Sequence, residues 1–169
     1  MSLIIPINNK TPRLGQGVYV AQNATLIGDL SIGDESSIWF GVVIRADVNQ
    51  IEIGNNTNIQ DATVIHATYQ THSTWIGDNV TVGHSCLLHG CKIGSYSLIG
   101  MGSIVMDGAD IGDYSLVGAG SLVTERKKFE PYSLIVGRPA VFKRKLTDQE
   151  VQALKQSAKN YLLYKTWYT

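Results

Sequence analysis

A six-residue period in the aliphatic residues constrains this chain more than any other feature. It runs through Val20, Leu26, Ile32, Ile38 and Ile44, then Ile53, Ile59 and Ile65, then Ile76, Val82 and Leu88. A last run goes Ile93, Ile99, Val105, Ile111, Val117, Val123. Thirteen of the sixteen steps between these seventeen positions are six residues long, which fits neither the period of an amphipathic helix nor the alternation of paired hairpins. It fits a solenoid of three short β faces per turn, with one aliphatic residue per face pointing inward. A β-sandwich with frequent glycine turns would lose phase over this length. Glycine follows many of the aliphatic positions, as in Ile32-Gly33, Ile53-Gly54, Ile76-Gly77 and Ile93-Gly94, and Asp, Asn or Ser often comes next. That pairing predicts tight turns with positive φ.

The 169 residues are 17% charged with zero formal net charge, so one domain with a sizeable core is expected and neither nucleic acid nor a membrane as partner. With no eighteen-residue apolar run and no basic-then-apolar leader, the expected location is the cytoplasm. Cys86 and Cys91 read as small reduced thiols in or near the core. The aliphatic ladder ends at Val123, and the solenoid is assigned to residues 1–125. Residues 126–146 open with Arg126-Lys127-Lys128, are broken by Pro131 and Gly137-Arg138-Pro139, and read as a linker. A helix is expected over 147–169, because Thr147 and Glu150 form a capping box. Its stripe of Val151, Leu154, Ala158, Tyr161 and Leu162 suits packing along the solenoid.

Three steps of the ladder are irregular, after Ile44, Ile65 and Leu88. If each counts as a single face, Ile44, Ile65 and Leu88 form one vertical column. The residues after them, Arg45, His66 and His89, then stack along one edge, with the two imidazoles about 4.8 Å apart. Ile59 and Val82 form a second column, and Asp61 and His84 stack two residues beyond them, at a different corner of the triangle. His84 is therefore out of reach of His66 and His89 within one solenoid. In a three-fold trimer, one corner meets a different corner of the next chain, and a three-histidine metal site with an open fourth position can close. The same columns suggest that Arg45 of one chain meets Asp61 of the next. His72, in a loop, reads as a surface group.

The segments Arg45-Ala46-Asp47, Asn58-Ile59-Gln60-Asp61, Ile65-His66, Val82-Gly83-His84 and Leu88-His89-Gly90-Cys91 resemble the gamma-class carbonic anhydrases, as do Gly100-Met101-Gly102, Gly118-Ala119-Gly120-Ser121 and Val136-Gly137-Arg138-Pro139-Ala140. The resemblance spans almost the whole chain. It implies an all-β solenoid, a left-handed parallel β-helix of hexapeptide repeats with a C-terminal helix packed along it, assembled as a homotrimer. It implies zinc, with iron or cobalt as alternatives, held by His66, His84 and His89, and hydration of CO2 to bicarbonate by hydroxide on the metal. Gln60 matches a residue that hydrogen-bonds the metal's water, with Asn58 nearby. Arg45, Asp47 and Asp61 match an interface network, and Tyr161, with Tyr164 as the alternative, matches a helix tyrosine that approaches the site. Two departures stand out. No Asp or Glu occurs from Ala67 to Trp75, where the family carries a proton-shuttling glutamate, and Val48 replaces a second glutamate. Low activity limited by proton transfer is the expected consequence. A hexapeptide acyltransferase, a thioesterase and a non-catalytic metal-binding trimer are the alternatives.

Overall fold

Three columns of inward-pointing aliphatic side chains form the axis of the molecule. In the computed structural model, which describes residues 2–168, the first column stacks Leu26, Ile44, Ile65, Leu88, Val105 and Val123 in parallel register. We call its outer side face A. The second, face B, stacks Ile32, Ile53, Ile76, Ile93, Ile111 and Phe129. The third, face C, stacks Val20, Ile38, Ile59, Val82, Ile99, Val117 and Ile135. Along the chain the faces follow one another in the order C, A, B, and about seven turns result. The inward residues from Leu26 to Val123 are almost fully buried. Each such side chain contributes about 1.5–3 kcal/mol by leaving water, so the repeat itself supplies the core. The register also shows that each long step of the ladder spans one face, since Ile53 and Ile76 are partners, as are Ile76 and Ile93.

The glycines work differently from the expectation. Gly33, Gly54, Gly77 and Gly94 are absent from the positive-φ positions, which instead fall two residues later, at Glu35, Asn56, Asn79 and Tyr96. The glycines are there for close approach: a Cβ on Gly54 would sit 2.7 Å from the Gly77 backbone. The Asp and Asn side chains that follow them join turn to turn, with Asp34 N donating to Asn55 Oδ1 at 2.8 Å and Asn55 N donating to Asp78 Oδ1 at 2.7 Å.

Residues 126–146 are not a linker. Lys128–Phe129 pairs with Asp110–Ile111 and Ser133–Gly137 extends face C, so the solenoid runs one turn further. Ala140–Lys145 then folds back antiparallel on Ser133–Gly137. The period had persisted, since Phe129 and Ile135 lie six and twelve residues beyond Val123, and the basic run masks it because those side chains point outward. Helix α1, Asp148–Tyr164, begins with the expected capping box. Arg144 holds Glu150 through two 2.8 Å contacts. Leu154 and Ala158 are buried, and Ser157 Oγ lies 3.1 Å from Thr81 Oγ1, which places α1 over face C. The far end is pinned by Lys165, whose buried Nζ donates to Gly17 O at 2.6 Å and to Glu35 Oε2 at 2.6 Å. Among the described residues no helix is long and apolar enough to cross a membrane.

Candidate metal centre

His66 and His89 are register partners on adjacent turns, each directly after an inward aliphatic residue. Parallel pairing therefore stacks them. Their ring centroids are 5.0 Å apart, and His66 Nδ1 faces His89 Nε2 at 3.0 Å. The opposite nitrogen of each ring is held by a carboxylate: Asp47 Oδ1 is 3.0 Å from His66 Nε2, and Asp107 Oδ1 is 2.5 Å from His89 Nδ1. Asp47 also accepts from Arg45 Nη1 at 2.5 Å. Asp107 also accepts from Thr68 Oγ1 at 2.5 Å. Burial pushes both carboxyl pKa values upward, but hydrogen bonds outweigh it and leave both lowered. The bonds come from Arg45 and His66 at Asp47, and from His89 and Thr68 at Asp107. Both carboxylates thus stay charged beside their imidazoles.

His84 lies at the other edge of face A. Its Nδ1 is 2.7 Å from Asp61 Oδ2, and Asp61 Oδ1 in turn accepts from Phe40 N at 3.2 Å. Asn58, buried, donates from Nδ2 to Thr81 Oγ1 at 3.0 Å and accepts from Gln60 Nε2 at 3.1 Å. Gln60, Tyr161 and His84 line one groove, and Tyr161 also borders a neighbouring cavity with Trp39, Phe40, Asp61 and Tyr164, whereas Tyr164 lines only the latter of the two. Tyr161 is thus the helix tyrosine beside Gln60 and His84. Burial, and then the Asp61 and Tyr164 charges, raise its pKa.

The chain brings together His66, His89, Asp47 and Arg45 in one cluster, and His84, Asp61, Gln60, Asn58 and Tyr161 in another. Among the described residues no group of three His, Cys, Asp or Glu side chains forms a metal site. Arg45 and Asp61 each bind within their own cluster. His72 lies outside both, with Nδ1 3.2 Å from Thr71 Oγ1, although its charge acts on Asp107. Sequence reasoning missed Asp107. One turn further, the His66–His89 column reaches Met106, directly after the inward Val105, and Asp107 lies one residue beyond it, so counting along the column does not point to it.

The donor set suits a metal ion. All three imidazoles have one nitrogen on a carboxylate, the arrangement that fixes metal-bound histidines. The nitrogens left over are His66 Nδ1, His84 Nε2 and His89 Nε2. Two ligands at 2.0–2.1 Å on a tetrahedral ion are about 3.3 Å apart, close to the 3.0 Å between the facing nitrogens. Burial raises the Cys91 thiol to about 12, which leaves it protonated and inert.

Residues 90–125 match the family model described as bacterial transferase hexapeptide (six repeats). A protein named carbonic anhydrase from Geobacillus kaustophilus is 44% identical over 160 residues, which cover 95% of this chain and 87% of that protein. The mitochondrial gamma carbonic anhydrase 2 of Arabidopsis thaliana is 44% identical over 164 residues, covering 94% of this chain but 59% of the relative. The chain thus spans under two thirds of that plant protein. A crystal structure of a hexapeptide transferase family protein from Anaplasma phagocytophilum superposes with a TM-score of 0.95 at 44% identity, covering 99% of this chain and 98% of that one.

Proposed function

Because the chain belongs to the gamma-class carbonic anhydrase family, we propose that it assembles as a homotrimer and catalyses the reversible hydration of CO2. Its metal sites would each combine His66 and His89 of one chain with His84 of the next. The observation that carries this reading is the outer surface of face A. The outward residues of face B include Glu52, Lys92, Asp110 and Lys128, which suit water, and face C is covered by α1. Face A presents Val43, Val64, Leu87, Ile104 and Leu122, none fully buried, with Val64 and Leu87 each 39% exposed. An unbroken aliphatic stripe of this kind calls for a cover. Three copies around an axis parallel to face A would cover one another. The same face is bordered by His84 on the edge that precedes it and by His66 and His89 on the edge that follows it. Three-fold packing would therefore join opposite edges of neighbouring chains, and both half-sites with them.

Zinc, or iron or cobalt on the same imidazoles, would supply hydroxide near neutral pH by lowering the pKa of its water to about 7. Asp47, Asp61 and Asp107 hold the far nitrogens and so aim the ligating lone pairs. Asn58 fixes the Gln60 carboxamide, whose remaining donor can orient a substrate oxygen. Arg45 and Asp61, brought to one interface, would set the register of the chains. Proton export falls to His72 in a loop without carboxylates. The two buried thiols suit a reducing compartment such as the cytoplasm. Sedimentation with metal analysis and CO2-hydration kinetics tests the reading. A trimer holding one metal per chain, with measurable turnover, is expected. A monomer that keeps stoichiometric metal would overturn it.

A further inference from the structure

Face B is the face that neither α1 nor the proposed trimer contact covers, and a groove of about 350 Å3 lies on it. The tip of the 67–75 loop brings His72 and Ser73 to the groove, and the outward side of face B brings Trp75, Lys92, Asp110 and Lys128. His72 is seated there. A Cβ on Gly90 would lie 2.8 Å from His72 Cβ, and one on Gly108 would lie 3.2 Å from His72 Nε2. The imidazole therefore occupies room that a side chain at either corner glycine would take. Its charge also reaches Asp107, which ties the groove to the His89 edge. Lys92, Asp110 and Lys128 are register partners on successive turns. At roughly 4.8 Å per strand spacing the two lysines start about 10 Å apart, near enough for their side chains to converge on one ion. Lys92 Nζ lies 5.5 Å from the centroid of the Trp75 ring, a contact that holds the ammonium over the indole. Lys10, Arg13, Arg45, Arg144 and Lys165 each have a carboxylate partner. Among the described residues Lys92, Arg126, Lys127 and Lys128 have none, and Asp110 pairs with neither of its lysine neighbours. The chain as a whole is neutral, so this is a local excess of free cations.

We propose that this groove binds a small oxyanion of the phosphate class, held by the Lys92 and Lys128 ammonium groups beside the His72 ring, with the Ser73 hydroxyl as a further donor. A nucleotide or an acyl chain fits worse, because Lys92 already lies over the Trp75 ring and no other large apolar side chain lines the groove. The anion would accept the proton that His72 carries out of the metal centre. Imidazolium becomes imidazole as monohydrogen phosphate becomes dihydrogen phosphate. That role rests on the carbonic anhydrase reading above; the binding does not.

The test labels the full-length protein with 5-fluorotryptophan and follows the 19F signals of its three tryptophans during titration with phosphate, against chloride at matched ionic strength. The Trp75 signal should move and saturate with phosphate while those of Trp39 and Trp167 stay. Lys92→Gln and Lys128→Gln should each weaken binding by about two- to fivefold, the range for exposed ion pairs, and Lys159→Gln, on α1, should not. In the metal-loaded protein, CO2 hydration should rise with phosphate to a plateau at the concentrations that saturate Trp75, and His72→Gln should flatten that rise. A Trp75 signal that stays put, follows chloride equally, or saturates unchanged in both groove lysine variants overturns the site. Saturable binding without a rise in turnover overturns the proton role. His84→Ala, which should remove the metal, should leave the Trp75 response in place, and loss of the phosphate site should leave metal content untouched, so the two readings fail separately.

Discussion

Asp107→Ala should loosen the metal without unfolding the chain. Asp107 accepts two short hydrogen bonds, from His89 Nδ1 and from Thr68 Oγ1, each at 2.5 Å. A hydrogen bond to a charged group contributes about 1.5–3 kcal/mol, and a factor of ten in affinity corresponds to about 1.4 kcal/mol. Losing the bond that orients His89 should therefore weaken metal binding by about 10- to 100-fold, the range found for such outer partners. Asp107→Asn keeps a neutral acceptor, worth about half as much, and should cost about five- to tenfold. Thr68→Val removes only the support of the carboxylate and should fall below both. Competition against a chromogenic chelator measures the affinities, and circular dichroism and sedimentation verify fold and assembly. An Asp107→Ala protein that is folded, assembled and within twofold of the parent in affinity would refute the reasoning.

Leu87→Glu should give monomers lacking metal, because it places a charge in the aliphatic stripe of face A, and sedimentation with metal analysis reads both effects. A stable trimer would mean that face A is not the contact. The Glu150 carboxyl should titrate near 2 instead of the ordinary 4.5, held down first by Arg144 and then by the Thr147 backbone. Its folded pKa is depressed, so its capping contribution is complete above 4.5 and disappears as pH falls through about 2, a window that carboxyl NMR resolves and Glu150→Gln should erase. CO2 hydration should rise with the concentration of a small imidazole buffer, since the 67–75 loop carries no carboxylate and His72 as its one imidazole. Turnover that is insensitive to buffer would remove proton export as the limiting step.

The parts of the fold that repeat were legible in the sequence. Ile65, Val82 and Leu88 reveal their direction because burial on a fixed face admits little but aliphatic residues, and the histidine positions follow by counting from them. The count held through the long step from Ile65 to Ile76 because the extra residues loop outward without shifting the register. Where outward chemistry varies, the pattern faded. Lys127 and Lys128 hid Phe129, and Pro131 suggested a break where the chain merely turns. The role of glycine at 54 and 77 was misread, because a close approach between turns leaves the same residue in the sequence as a left-handed turn does. Asp107 was invisible for another reason: one carboxylate on an outer corner looks like any surface charge until the fold sets it against His89.

Subunit mixing tests the shared metal site most directly. His84→Ala and His66→Ala chains are each expected to form metal-free homotrimers. When the two are mixed and the mixed trimers are isolated, each should regain one intact site, at the single contact where His66 and His89 of a His84→Ala chain face His84 of a His66→Ala neighbour. Metal analysis of the separated species should find one ion per mixed trimer and none in either parent. No metal in verified mixed trimers, or full metal in either homotrimer, would contradict a site built from two chains.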